Sequence, residues 1–142
     1  MSYSLAFSQA IITVLFVADK IQQGIYDFVP TKELSEALNI ARPSAVKILQ
    51  SLQRVGIIET REGAKGGVRL AKLPADITIL DIFTAIEQER PLFRHDLQIR
   101  VTGEKPTRGR QVILDTLILA EEAMKDKLVD ITVENLLNQL NQ

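Results

Sequence analysis

The sequence predicts a mainly α-helical fold with one small β-hairpin, and three observations predict it. Apolar residues recur at three- and four-residue spacing over long stretches, beginning with Phe7, Ala10, Ile11, Val14, Ala18 and Ile21. Two short helical patterns follow, separated by about four residues, which is the sequence form of a helix-turn-helix. The exception to helical spacing is REGAKGGVRL, residues 61–70, which packs three glycines and three basic side chains between two β-prone runs.

At 142 residues the chain fits a single domain with its own core. It contains no cysteine, which excludes disulfides, cysteine nucleophiles, thiolate zinc sites and cysteine-ligated iron–sulfur clusters. The start of the chain lacks the basic, apolar and cleavage-site sequence of a signal peptide. The most apolar stretch, Ala10–Ala18, is interrupted by Thr13 and reads as too short to cross a bilayer. The expectation is a soluble cytoplasmic protein with no membrane partner. Net charge is −1, unevenly placed: residues 31–72 carry eight Lys/Arg against four Asp/Glu, and residues 73–142 carry eight against twelve. That asymmetry points to an anionic partner for the first half.

Taken in order, residues 5–23 read as a helix apolar on more than one side, because Leu5, Ile12, Leu15 and Phe16 supplement the main stripe. Such a helix in so small a chain points to a second subunit, and Gly24 ends it. Thr31 reads as the N-cap of a short helix, Lys32 to Leu38, with Asn39 as its stop. The helix in ARPSAVKILQSLQRVG, residues 41–56, has Pro43 in its first turn, where a missing N–H loses nothing, and Gly56 at its end. Ala45, Ile48, Leu49, Leu52 and Val55 form its expected core face. Ser44, Lys47, Ser51 and Arg54 form an outer face with hydrogen-bonding or cationic groups and no acid.

Ile57–Arg61 and Val68–Lys72 read as the strands of a hairpin whose turn uses Gly63, Gly66 and Gly67. Arg61, Lys65 and Arg69 add positive charge at or beside its tip. A helix-turn-helix followed by a basic hairpin is a winged helix, a shape that places one helix in a major groove and the wing along the backbone or in the minor groove. A phosphate-binding loop fits poorly: Gly66-Gly67 leads into the strand Val68-Arg69-Leu70 where a helix is required, and no G-x-G-x-x-G occurs.

Thr78 and Asp81 make a capping-box pair before a helix with Ile79, Ile82, Phe83 and Ile86 inward. Residues 88–109 read as a loop broken by Pro91, Gly103, Pro106 and Gly109. This loop holds the single histidine, His95, beside Asp96, a pair that reads as surface rather than metal-binding or catalytic. A long helix is expected from Arg110 to about Ile131, with Leu114, Leu117, Met124, Leu128 and Ile131 on one stripe and Val112, Ile113, Leu119, Ala120 and Ala123 widening it. Its apolar surface exceeds what one small core covers, so it reads as a dimer interface. Thr132 caps a last helix, VENLLNQL. The expected organisation is a winged helix over 1–87, a loop or effector region over 88–109, and a dimerisation helix plus C-terminal helix over 110–142. No carboxylate pair, Ser–His–Asp set or metal-ligand spacing stands out, so no enzymatic activity and no cofactor are expected.

The stretch VGIIETREGAKGGVRLAKLPADITILDIFTAIE, residues 55–87, resembles the Rrf-two family of bacterial transcription regulators, the IscR, NsrR and CymR type. Gly56, Gly63, Gly66, Gly67, Arg69, Leu70, Ala71, Pro74, Ile77 and Thr78 fall in the family's order, and PSAVKILQSLQRVGII resembles its recognition helix. The resemblance implies a homodimer held by the first and the long last helix, binding double-stranded DNA at a palindromic operator, most simply as a repressor. Ser44, Lys47 and Ser51 would then meet bases or phosphates, Arg42 and Arg54 phosphates, and Lys65 and Arg69 would act from a wing that Gly66 and Gly67 let approach closely. Three departures stand out. Val68 replaces a frequent aromatic; Ser4, Leu5 and Ala6 lack the usual basic and aromatic start; and residues 88–109 lack the three cluster-binding cysteines of many members. Control by a small molecule or a partner protein is the expectation. A winged helix used for protein assembly, without a DNA target, is the alternative reading.

Overall fold

The computed structural model describes residues 5–88 and 90–142; Ser4, and Glu89 within the expected loop, lie outside the described residues. The order is α1 (Leu5–Gln22), α2 (Thr31–Leu38), α3 (Arg42–Arg54), β1 (Ile58–Arg61), β2 (Gly67–Leu70), a 3-10 turn at Pro74–Asp76, α4 (Ile79–Glu87), α5 (Glu104–Val129) and α6 (Val133–Leu140).

α1 is apolar nearly all round because it is the hub: it packs against α2, α3, α4, α6 and β2. Ala10, Val14, Val17 and Ala18 are buried there, and the buried Thr13 hydroxyl donates to the Gln9 carbonyl at 2.7 Å. The helix is longer than the Ala10–Ala18 stretch implies, with 18 residues of mean hydropathy 1.4. By length and composition alone it could cross a bilayer; its place in the core accounts for the apolarity of the packed side, while Leu5 and Ile12 remain exposed. Phe7 meets Phe83 of α4 edge to face, with ring centres 5.2 Å apart.

The entry to α2 differs from expectation. Pro30 is the N-cap, with φ −61° and ψ 138°, and Thr31 is already helical, without a side-chain cap bond. Asn39 closes α2 in the left-handed region at φ 53°, where its short polar side chain makes that conformation accessible. The Ile40 N–H donates to the Ser35 carbonyl at 3.1 Å, and the Ser35 hydroxyl donates to the Ile40 carbonyl at 2.6 Å. These bonds fix the turn into α3, which buries Ala45, Ile48, Leu49 and Leu52. Val55 falls outside this face, 40% exposed, because the helix has already ended at Arg54 and the chain turns at Gly56, φ 79°.

β1 and β2 pair antiparallel, with Glu59 opposite Arg69 and Arg61 opposite Gly67. Val29 adds a rung on the other edge of β2: its N–H donates to the Val68 carbonyl at 2.8 Å, and its carbonyl accepts from the Val68 N–H at 2.9 Å. α4 begins with the expected capping box, Thr78 with Asp81, closed by bonds of 2.9 and 3.0 Å.

The long helix starts at Glu104, six residues before the expected Arg110, and runs 26 residues, about 39 Å. Pro106 lies in its first turn, where its absent N–H would have had no helical partner. α6, capped by Thr132 and Asn135, returns to the winged-helix core. The Ile79 N–H donates to the Ile131 carbonyl at 2.8 Å, the Val133 N–H donates to the Ile77 carbonyl at 2.9 Å, and Val133 and Leu137 are buried.

Leu52 is fully buried and Val55 is not, although helical spacing placed both on one face. Leu52→Ala should destabilise the fold by about 2–5 kcal/mol, and Val55→Ala by less than about 1 kcal/mol. Urea midpoints at an unchanged slope would measure the difference; equal effects would contradict the placement of Val55.

Candidate nucleic-acid interface

α3 presents two working flanks. On one, Ser44, Lys47 and Ser51 border a cleft shared with α1 and the end of α4. On the other, Arg42, Val46, Gln50 and Gln53 face the hairpin across a groove of about 490 Å³. Thr31 and Lys32 of α2, and Thr60, Arg61, Glu62 and Gly66 of the wing, complete that groove. Among the described residues, Glu62 is the one acid on its lining, against the cations Lys32, Arg42 and Arg61. Among the described residues, Lys32, Arg42, Lys47 and Lys65 form no ion pair.

Arg54 continues the flank of Ser44, Lys47 and Ser51 beside the end of α4, but its guanidinium is engaged there. Its Nη2 donates to the Ala85 carbonyl at 3.0 Å, joining the end of α3 to the last turn of α4. Helical spacing did hold the groove-facing set, since Arg42, Val46, Gln50 and Gln53 follow at four, four and three residues. Arg42 was singled out in the sequence; Val46, Gln50 and Gln53 escaped notice because two are uncharged amides and one is apolar. A glutamine can bond an adenine edge at two points and an exposed valine can meet a thymine methyl, so both types suit groove reading.

In the wing, the Arg61 and Arg69 guanidinium carbons lie 4.3 and 4.5 Å from the Phe28 ring centre. Phe28, largely buried, belongs to the segment that pairs with β2, so both wing strands are fastened to one aromatic. Arg69 also pairs with Glu59 directly across the hairpin, which balances much of its charge. Arg61 Nη2 donates to the Lys65 carbonyl at 3.1 Å and closes the tip. Among the described residues, Lys65 at the tip forms no ion pair.

Gly66 and Gly67 have an internal reason to be glycine. A Cβ on Gly67, at φ 148°, would stand 2.1 Å from the Val29 carbonyl oxygen. One on Gly66 would stand 2.2 Å from the Arg61 carbonyl oxygen. The expected latitude for close approach is thus taken up first by the protein's own backbone.

The 90–103 segment folds against α5. The Leu92 N–H donates to the Glu121 carboxylate. Arg94 pairs with Asp96 at 2.6 Å, and this hydrogen bond holds the Asp96 carboxyl below the usual carboxylate range. Pro91, Phe93 and His95 lie beside Leu114, Leu117 and Ile118.

A compact three-helix unit, a turn fixed by a left-handed Asn39 and a hairpin beside α3 define a winged helix-turn-helix protein. The chain belongs to the Rrf2 family: the family model described as an iron-dependent transcriptional regulator matches residues 3–139. It is similar to the HTH-type transcriptional regulator NsrR of Bacillus subtilis, 28% identical over 97 residues, 68% of this chain and 66% of that protein. NsrR of Geobacillus kaustophilus is 38% identical over 61 residues, 43% of this chain and 42% of that protein. The chain thus spans less than two thirds of the length of these curated relatives. Among solved structures, IscR of T. potens superimposes with a TM-score of 0.72 at 17% identity, covering 99% of this chain and 88% of that one. CymR, the global cysteine regulator of B. subtilis, gives 0.69 at 19% identity, covering 98% of both chains. At these identities the structures support the fold.

The family's description invokes iron, and the residues here do not fit an iron centre. The chain has no cysteine, and no group of three or more His, Asp or Glu among the described residues could hold a metal.

Gly67→Ala should break the Val29–Val68 rung, with about 1–3 kcal/mol arising from the backbone conformation alone. Amide hydrogen exchange should then accelerate at Val29 and Val68; unchanged protection at both would show that the rung does not need glycine.

Proposed function

We propose that this protein is a homodimeric, sequence-specific regulator of transcription, without enzymatic activity, that binds a palindromic double-stranded DNA operator in the cytoplasm, most simply as a repressor. Its signal is a small molecule or partner protein rather than an iron–sulfur cluster. The observation that carries the reading is the composition of α3: none of its 13 residues is acidic, and its solvent side holds cations, hydroxyls and amides flanked by the wing. An exposed helix serving only solubility or protein assembly ordinarily mixes charge signs. In this reading Lys47 and Gln50 enter the major groove; Arg42, Ser44 and Ser51 flank them; Lys65 and the wing backbone at Gly66 and Gly67 follow the phosphates. Arg69 holds the wing in shape through Phe28 and Glu59, and Arg54 ties the end of α3 to α4.

Dimerisation is supported by α5, which has no buried residue along its length. One side rests on the 90–103 segment and α4. On the other, Val112 is 62% and Leu119 66% exposed, beside exposed Ile113, Thr116, Ala120 and Ala123. This stripe combines large apolar residues with small ones that let two helices approach. A two-fold dimer would present paired recognition helices to half-sites about 34 Å apart or a multiple of that.

Selecting bound duplexes from a random pool should enrich a palindrome. On it, Lys47→Ala should weaken binding and, if the lysine meets a phosphate, lower the salt slope by about one unit. Gln50→Ala should cost about 1–3 kcal/mol at one base position and relax its preference. Wild-type affinity for both variants at every salt concentration would defeat the assignment. Leu119→Asp should yield monomers in analytical ultracentrifugation; persistence of the dimer would remove α5 as the interface.

A further inference from the structure

We propose that the cleft between α1, α3 and the end of α4 binds a small organic carboxylate with an apolar body, in competition with DNA. The cleft measures about 490 Å³, within the range of small-molecule sites. Its lining is two-sided in chemistry. Ala6, Ile48 and Ile86 are buried or half-buried and form an apolar floor, whereas Lys47 and Arg90 are exposed at the rim. Gln9 and Ser51 add neutral donors, and no acid lines the cleft among the described residues. Among the described lining residues, no carboxylate is offered to a metal ion or a cationic ligand. A bare phosphodiester would satisfy the rim and leave the floor without a partner.

Arg90 is already anchored for this task. Its Nε donates to the Glu87 carbonyl at 3.2 Å and its Nη2 to the Glu87 carboxylate at 2.9 Å, with Glu87 only 2% exposed. A guanidinium has about five N–H donors, so several remain for a ligand from a fork whose orientation is fixed. Gln88, at φ 55° and ψ −140°, makes the sharp turn after α4 that brings residues 88 and 90 to the cleft. Lys47, without an ion pair among the described residues, supplies the uncompensated charge.

The competition rests on the DNA reading; the site does not. Ser44, Lys47 and Ser51 line this cleft and also belong to the proposed DNA face, so one occupant withdraws them from the other. Reciprocity follows: DNA must weaken ligand binding by the factor by which ligand weakens DNA binding.

Calorimetry on the DNA-free protein with hexanoate, benzoate and acetate tests the site. Hexanoate and benzoate should bind at least about tenfold more tightly than acetate, since two buried methylenes suffice for that factor. Arg90→Gln, which keeps an amide for Glu87, and Ala6→Leu, which fills the floor, should each weaken hexanoate about tenfold. Lys127→Gln, a charge removed from α5, should not. Failure of all three acids to bind, or equal affinity for acetate and hexanoate, would overturn the site, as would unchanged affinity in both cleft variants. A gel shift with random duplex at low salt separates the two readings. Hexanoate should displace the parent protein and spare Ala6→Leu. DNA binding with no carboxylate binding defeats the site alone; carboxylate binding with no DNA binding defeats the DNA reading alone.

Discussion

The rest of the candidate interface depends on one close approach: the backbone of Val29 lying against that of Gly67 and Val68. Two hydrogen bonds of 2.8 and 2.9 Å join the segment before α2 to the second wing strand, and the approach leaves no room for a side chain on Gly67. An isolated two-stranded hairpin is marginal in water. The extra rung makes this one part of the core, with Val68 buried beneath it. Phe28, next to Val29, receives Arg61 and Arg69 from the two strands. The distance between wing and α3, and so the width of the groove between them, is set by these contacts.

This arrangement gives charges that look alike in the sequence different work. Arg69 and Arg54 have partners and shape the scaffold, whereas Lys47, Arg42 and Lys65 keep their charge available. Long-range attraction to a polyanion uses both kinds. Contacts that release counterions one by one come from the second kind. Val68 is 1% exposed, and both its backbone N–H and its carbonyl are bonded to Val29.

Much of the fold was legible in the sequence because its signals are local. Periodicity marked α1, α3 and α5, while the caps at Thr78 and Thr132, the stop at Asn39 and the left-handed Gly56, which marked the other helices and the end of α3, depend on neighbours a few residues away. Some of what escaped was non-local: nothing near Arg54 points to the Ala85 carbonyl 31 residues on. The entry to α2 was a local miss, since Pro30, beside Thr31, takes the N-cap position and leaves Thr31 already helical. Pro106 and Gly109 read as breakers, although a proline in a first turn is harmless. For the interface, a search for cations and hydroxyls found Ser44, Lys47 and Ser51 and overlooked Val46, Gln50 and Gln53, whose significance comes only from facing the wing.

The return of α6 to the core bears on how the chain matures. α1 touches α6, and Val133 and Leu137 help fill the interior that α1 organises. The opening helix therefore cannot complete its packing until the ribosome has released residue 137. Before that, a nascent chain carries an 18-residue apolar helix with part of its surface uncovered, a species open to aggregation and to capture by chaperones.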